Sequence, residues 1–218
     1  MSSSRNTHVG KGDPGSLKLI ATLSFAGLLS GLIIVLAYET TLPTITAYKA
    51  KVLEEAVFRV LPGVTSMQRL VYRDRALTVN EQVQKGDEAI FSGFDASGRL
   101  VGYAIPGAGP GFQDTIRLLY GYIPEQRKIS GMEILESRET PGLGDKIYKD
   151  PAFVANFESL SVDPEIRAIK KGKPKAASDI DAITGATISS KAVVRIINEA
   201  NRLWLPRLEQ ASGPEAER

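Results

Sequence analysis

Between Leu19 and Tyr38 the chain reads LIATLSFAGLLSGLIIVLAY, a stretch without a single charged residue. At ~1.5 Å per residue, a helix of roughly twenty residues reaches about 30 Å, the thickness of a bilayer core. The stretch is therefore expected to cross a membrane once. A cleaved leader is the rival reading, but the apolar block exceeds the ~7–15 residues usual for such a segment and no small-x-small cleavage pattern follows it. Arg5, Lys11 and Lys18 precede the span, whereas Glu39 is the first charge after it. That asymmetry places the N-terminus in the cytoplasm and the remaining chain outside it. Gly27 and Gly31 have the spacing of a small-residue helix contact. The expected organisation is a cytoplasmic tail over 1–18, a transmembrane helix over 19–38, an extracytoplasmic domain over 39–208 and a flexible tail over 209–218.

What the chain lacks narrows its chemistry. It has no cysteine, which excludes disulfides, thiolate catalysis, iron–sulfur ligation and cysteine-based zinc sites. Its only histidine is His8, so the domain after the span has no imidazole for general acid–base work or for a Ser-His nucleophile. No metal site and no catalytic residue is assigned, and any redox chemistry must come from a bound cofactor. The formal charge of +2 and the absence of a basic run interleaved with aromatics exclude nucleic acid as a partner.

Past Pro43, Ile45, Tyr48, Val52, Ala56 and Val60 recur at helical spacing, and Pro62-Gly63 is expected to end that amphipathic helix. AIFSGFD, RLVGYAI, TIRLLYGYI and KISGMEILES follow, β-branched and apolar, with ASG and PEQR as connections between them. They read as an antiparallel meander. In DPAFVANFESL, Asp150 is placed to cap and Pro151 to occupy the first helical turn. Lys170, Lys171, Lys173 and Lys175 form a solvated loop, and a last helix after Ala186 carries Val193, Ile197, Ala200 and Trp204 on one stripe. Strands in a block with helices at its ends give an α+β fold.

Three glycine-bearing stretches are candidates for a site. PGAGPGF, with Gly107, Gly109 and Gly111, lacks the strand-turn-helix context of a dinucleotide loop and is expected to be a flexible turn. In ETPGLGDK, residues 139–146, Pro141-Gly142 favours a type II turn and Gly144 permits a close approach of backbone to a bulky neighbour. A bare surface loop would look the same. In DAITGATISS, residues 181–190, hydroxyls collect at a helix start, where they could cap the helix or where free N–H groups could receive a phosphate.

Asp181-Ala182-Ile183-Thr184-Gly185-Ala186-Thr187 resembles the flavinylation motif Asp-x-x-(Ser/Thr)-Gly-Ala-Thr of FMN-binding domains. GFQDTIRLLYGYIPE, ETPGLGDKI and the single span before an exported domain are similar to the RnfG (RsxG) subunit of Rnf ion-translocating electron-transport complexes. The related NqrC subunit of sodium-pumping quinone reductases shares the flavin motifs and is usually longer. The resemblance implies a single-pass protein of the bacterial inner membrane with a periplasmic FMN-binding domain. It implies one FMN joined through a phosphoester to Thr187 by an ApbE-type flavin transferase, with Asp181, Thr184, Gly185 and Ala186 in the recognition pattern. It further implies that Glu139, Thr140, Gly142, Leu143, Gly144 and Lys146, with the Thr184-Gly185 backbone, line the isoalloxazine ring, Lys146, if close, favouring an anionic reduced flavin. Many relatives carry histidine shortly before Glu139, where this chain has Ser137 and Arg138. The implied role is an electron carrier without a substrate of its own, working among the other membrane and redox subunits of an Rnf-type complex. The alternatives are an NqrC-like subunit, a flavin-free membrane-tethered binding module, and a standalone flavin reductase.

Overall fold

Helix α1 runs from Pro14 to Val60, 47 residues with Pro43 inside it. The computed structural model describes residues 14–73, 76–80, 88–173 and 175–211, so Arg5, His8, Lys11 and the tail beyond Ala211 lie outside the described residues. The separate transmembrane and amphipathic helices expected on either side of Pro43 are one continuous helix. Proline removes one helical donor, and Thr40, Thr41 and Thr46 donate their hydroxyls to the carbonyls of Leu36, Ala37 and Leu42 at 2.8, 2.8 and 2.9 Å. These bonds lie in the turns on either side and do not replace the donor that Pro43 withholds from the Glu39 carbonyl.

The chain divides into two compact units, residues 1–50 and 51–218. In the first unit the described part is wholly helical, with Leu19, Leu23, Phe25, Leu28, Leu32 and Ile34 all exposed. This helix is long and apolar enough to cross a membrane. An apolar surface of this extent is what a bilayer covers.

The second unit is built on a sheet of seven strands. They are β1 (Ser66–Arg73), β2 (Ala76–Val79), β3 (Glu88–Phe94), β4 (Leu100–Pro110), β5 (Thr115–Ile123), β6 (Lys128–Glu136) and β7 (Leu160–Ser161), in the order β2-β1-β3-β4-β5-β6-β7. Every pairing in it is antiparallel, and β3 to β6 form the expected meander. Neighbouring residues take opposite faces, as the pleat demands. Ile90, Ile105, Leu118 and Tyr120 enter one apolar cluster, whereas Phe91, Ala104 and Leu119 enter another with Ala56, Val57, Val60 and Leu61 from the end of α1.

The first cluster is covered by the last helix, α4 (Thr187–Ala211), whose Val193, Ile197, Ala200 and Trp204 are buried as the stripe predicts. PGAGPGF departs from its expected turn: residues 106–110 belong to β4, and Gly107 and Gly109 pair with Leu118 and Ile116. Packing is the reason. A Cβ on Gly107 would stand 2.7 Å from Ile196 Cγ2 and one on Gly109 2.8 Å from Ile196 Cγ1, so bare strand is what lets α4 lie down.

In the chain between β6 and α4 come α2 (Lys146–Lys149), α3 (Pro151–Val154) and, after β7, a parallel pair, β8 (Arg167–Lys170) with β9 (Asp179–Ala182). Asp150 caps α3 as expected, its side chain accepting the Ala152 amide at 2.9 Å. The lysine-rich stretch is not all loop, since Lys170 ends β8. Strand β9 then delivers the chain to the start of α4.

Candidate functional site

Two glycine turns meet at the start of α4. In the first, the Leu143 amide donates to the Thr140 carbonyl at 3.2 Å and Gly142 has φ +78°, the type II turn that Pro141-Gly142 predicts. In the second, the Ala186 amide donates to the Ile183 carbonyl at 3.0 Å and Gly185 has φ +85°. The Leu143 side chain lies over the second turn, 3.8 Å from where a Cβ on Gly185 would be. Leu143 remains half exposed although it is apolar.

These turns shape a cleft of about 310 Å³ lined by Phe112, Thr140, Leu143, Gly144, Gly185, Ala186, Thr187, Ile188 and Ser189. Its size falls within the ~300–1,000 Å³ range of small-molecule sites. Apolar side chains supply the walls: Phe112 is 64% exposed and Ile188 58%. Thr187 is exposed at the first position of the 25-residue α4, where unpaired N–H groups and the helix dipole make an electropositive end. Its hydroxyl has a single long bond, 3.4 Å to the Ile183 carbonyl. An apolar slot opening onto an exposed hydroxyl at a helix N-terminus fits a flat ring joined to a phosphate.

The residues named from sequence divide at this point. Thr140, Leu143, Gly144, Gly185, Ala186 and Thr187 line the threonine cleft. Lys146, Asp181 and Thr184 instead line a second cleft of about 510 Å³ with Lys149, Asn156 and Lys171. The seven-residue motif is thus split by its own turn, residues 181–184 facing one cleft and 185–187 the other. Gly142 shapes its turn and lines neither.

Glu139 is buried behind the threonine cleft. Its Oε1 accepts the amides of Phe112 and Gln113 at 2.9 and 3.0 Å, and its Oε2 accepts the Ser189 hydroxyl at 2.5 Å. Burial pushes its pKa up, but the Ser189 hydroxyl and the loop amides outweigh burial and hold it below the ordinary carboxylate value. Gly144 is where it is because of this side chain: a Cβ there would stand 2.7 Å from Glu139 Oε2.

Sequence reasoning missed Phe112, Ile188 and Ser189 as cleft residues. Ser190, also in the first turn of α4, accepts the Ile183 amide on its Oγ at 3.1 Å and donates to the Ala186 carbonyl at 2.9 Å. No local sequence signal marks Phe112, whose amide is held by Glu139, 27 residues away. Among the described residues no group of three or more His, Asp or Glu side chains is placed to hold a metal ion.

The FMN-binding domain model matches residues 111–202, which span the cleft and both turns. The G subunit of an ion-translocating oxidoreductase complex from Methanosarcina acetivorans is 30% identical over 185 residues, 84% of this chain and 91% of that protein. The chain belongs to this RnfG family. The G subunit of a proton-translocating ferredoxin:NAD(+) oxidoreductase complex from Clostridium ljungdahlii is also 30% identical, over 82% of this chain and 85% of its own length. Among solved structures, Shewanella oneidensis NqrC superposes with a TM-score of 0.61 at 18% identity, covering 75% of this chain and 99% of that one. That likeness establishes the shared α+β fold. Membership of the family, with an FMN-binding domain preceded by one helix able to span a membrane, agrees with the expected architecture.

Proposed function

We propose that the chain is a membrane-anchored electron carrier of an Rnf-type ion-translocating complex, with FMN bound covalently to Thr187. The observation that carries this is the exposed Thr187 hydroxyl at the start of α4, opening into a cleft with apolar walls. Phe112, Leu143 and Ile188 would hold the ring by apolar contact, and the α4 amides would receive the phosphate. FMN supplies the one-electron and two-electron chemistry that a chain without cysteine and with a single histidine cannot supply itself. Covalent attachment keeps the effective concentration of the cofactor high where a lost flavin could not readily be replaced.

Attachment balances as a phosphoryl transfer. The Thr187 oxygen bonds to the FMN phosphorus of FAD, the bond from that phosphorus to the bridging oxygen breaks, AMP departs, and the hydroxyl proton leaves to solvent. A flavin transferase of the ApbE type would catalyse it in the periplasm, after export of the domain. Electrons would then pass between neighbouring redox subunits of the complex, as the names of the relatives suggest for those proteins.

Intact mass tests the reading. The wild-type chain coexpressed with a flavin transferase gains one FMN less one water, and Thr187→Ala gains nothing. A wild-type chain that stays unmodified under those conditions overturns it.

A further inference from the structure

Glu139 is 5% exposed and makes contacts that join three segments of the chain. Its carboxylate accepts two amides from the loop between β4 and β5, and the Ser189 hydroxyl from the first turn of α4. It passes between two glycines: a Cβ on Gly111 would stand 2.3 Å from Oε1 and a Cβ on Gly144 2.7 Å from Oε2. Thr140 adds a second fastening between the same loops, its hydroxyl donating to Gln113 Oε1 at 2.9 Å.

Phe112 and Ser189, which Glu139 bonds, and Gly144, which it crosses, all line the threonine cleft. The carboxylate therefore stands one residue behind the cleft wall. Its hydrogen-bond partners are amides and a hydroxyl, none of them cationic. Dipoles of this kind hold a charge in place without cancelling it, and a partly dry wall screens it poorly. Lys146, the cation expected beside the ring, lines the second cleft instead.

We propose that Glu139 is the positioning residue of the flavin cleft and that its charge lowers the reduction potential of the group held there. This rests on the reading that FMN occupies the threonine cleft. Adding an electron in that cleft brings negative charge towards a fixed carboxylate with no cationic partner, so uptake is disfavoured. The same side chain sets the wall by fixing the Phe112 backbone to the α4 turn.

The test uses the full chain in detergent, loaded by coexpression with the transferase and checked by intact mass, with the flavin midpoint potential read by spectroelectrochemical titration. Glu139→Gln should raise the midpoint, whereas Lys171→Met, which removes a charge from the second cleft, should leave it at the wild-type value. A loaded Glu139→Gln chain with an unshifted midpoint overturns the electrostatic half of the proposal, as does an equal upward shift from Lys171→Met. Ser189→Ala keeps the charge and removes one bond of the clamp. It should speed iodide quenching of the flavin fluorescence, and unchanged quenching overturns the positioning half even where Glu139→Gln does not accumulate. If the wild-type chain itself carries no added mass, the underlying reading has failed and this proposal falls with it.

Discussion

Ser190 Oγ accepts the Ile183 amide at 3.1 Å, tying the exit of β9 to the first turn of α4. Both residues are buried, and the same hydroxyl donates to the Ala186 carbonyl at 2.9 Å. Ser190→Ala leaves the Ile183 N–H without that acceptor in the interior, which costs about 1–3 kcal/mol. For a chain of this size ~1 kcal/mol moves Tm by roughly 2–4 °C. Thermal unfolding of the full chain in detergent should therefore show a Tm lowered by several degrees. Ser189→Ala should not reproduce the loss of the Ile183 contact, because Ser189 bonds to Glu139 instead.

The glycine pair in β4 yields a packing prediction. Gly107→Ala puts a methyl group 2.7 Å from Ile196 Cγ2, closer than carbon atoms tolerate, so α4 must shift or Ile196 must leave its rotamer. Overpacking of this kind costs about 1–3 kcal/mol. Combining Gly107→Ala with Ile196→Ala should cost less than the two single changes summed, read as a double-mutant cycle of Tm or urea midpoints. Additive losses would show that Ile196 is not the obstacle.

Acid should weaken the folded domain through specific carboxylates. The pKa of Glu139 is held down against its burial by Ser189 and the loop amides, that of Asp145 by Lys149, and that of Asp179 by the Ala176 amide and then Arg167. Each folded-state pKa lies below its unfolded value, so the unfolded chain binds more protons as the pH falls through the carboxylate range, about 4. The stabilisation is present above that range and is lost below it. Urea midpoints should fall between pH 6 and pH 3, and the gap between wild type and Glu139→Gln should narrow over the same interval. A gap that widens in acid contradicts this sign.

The parts of the fold that were legible from sequence depend on neighbours close in the chain. The apolar span, the Asp150 cap, the type II turn at Pro141-Gly142 and the α4 stripe each follow from a few adjacent residues. What stayed hidden depends on partners far along the chain. Glu139 turns inward because Phe112 and Ser189, 27 and 50 residues away, supply its donors. Gly107 and Gly109 are strand and not turn because Ile196 needs their bare backbone. The parallel β8-β9 pair and the β1-β2 hairpin edge carry too few residues to announce themselves, β2, β8 and β9 having four each. Of the residues that line the cleft, Thr187 and its turn were named from a local motif, whereas Phe112 was not, because its place there is set by a carboxylate of another loop.

The absence of cysteine makes the orientation directly measurable, since a single introduced thiol reports its own compartment. Ser16 lies at the start of α1, before the apolar stretch, and Ala96 is exposed in the turn between β3 and β4. The proposed orientation, argued from the charge asymmetry around the span, would put Ser16 in the cytoplasm and Ala96 outside it. In spheroplasts, a membrane-impermeant maleimide should label the Ala96→Cys chain at once and the Ser16→Cys chain only after the membrane is opened. The reverse pattern would invert the orientation and put Thr187 in the cytoplasm, where loading outside the membrane is impossible. Labelling of both positions before opening would show that α1 does not span, and would leave its exposed apolar side chains to be covered by protein.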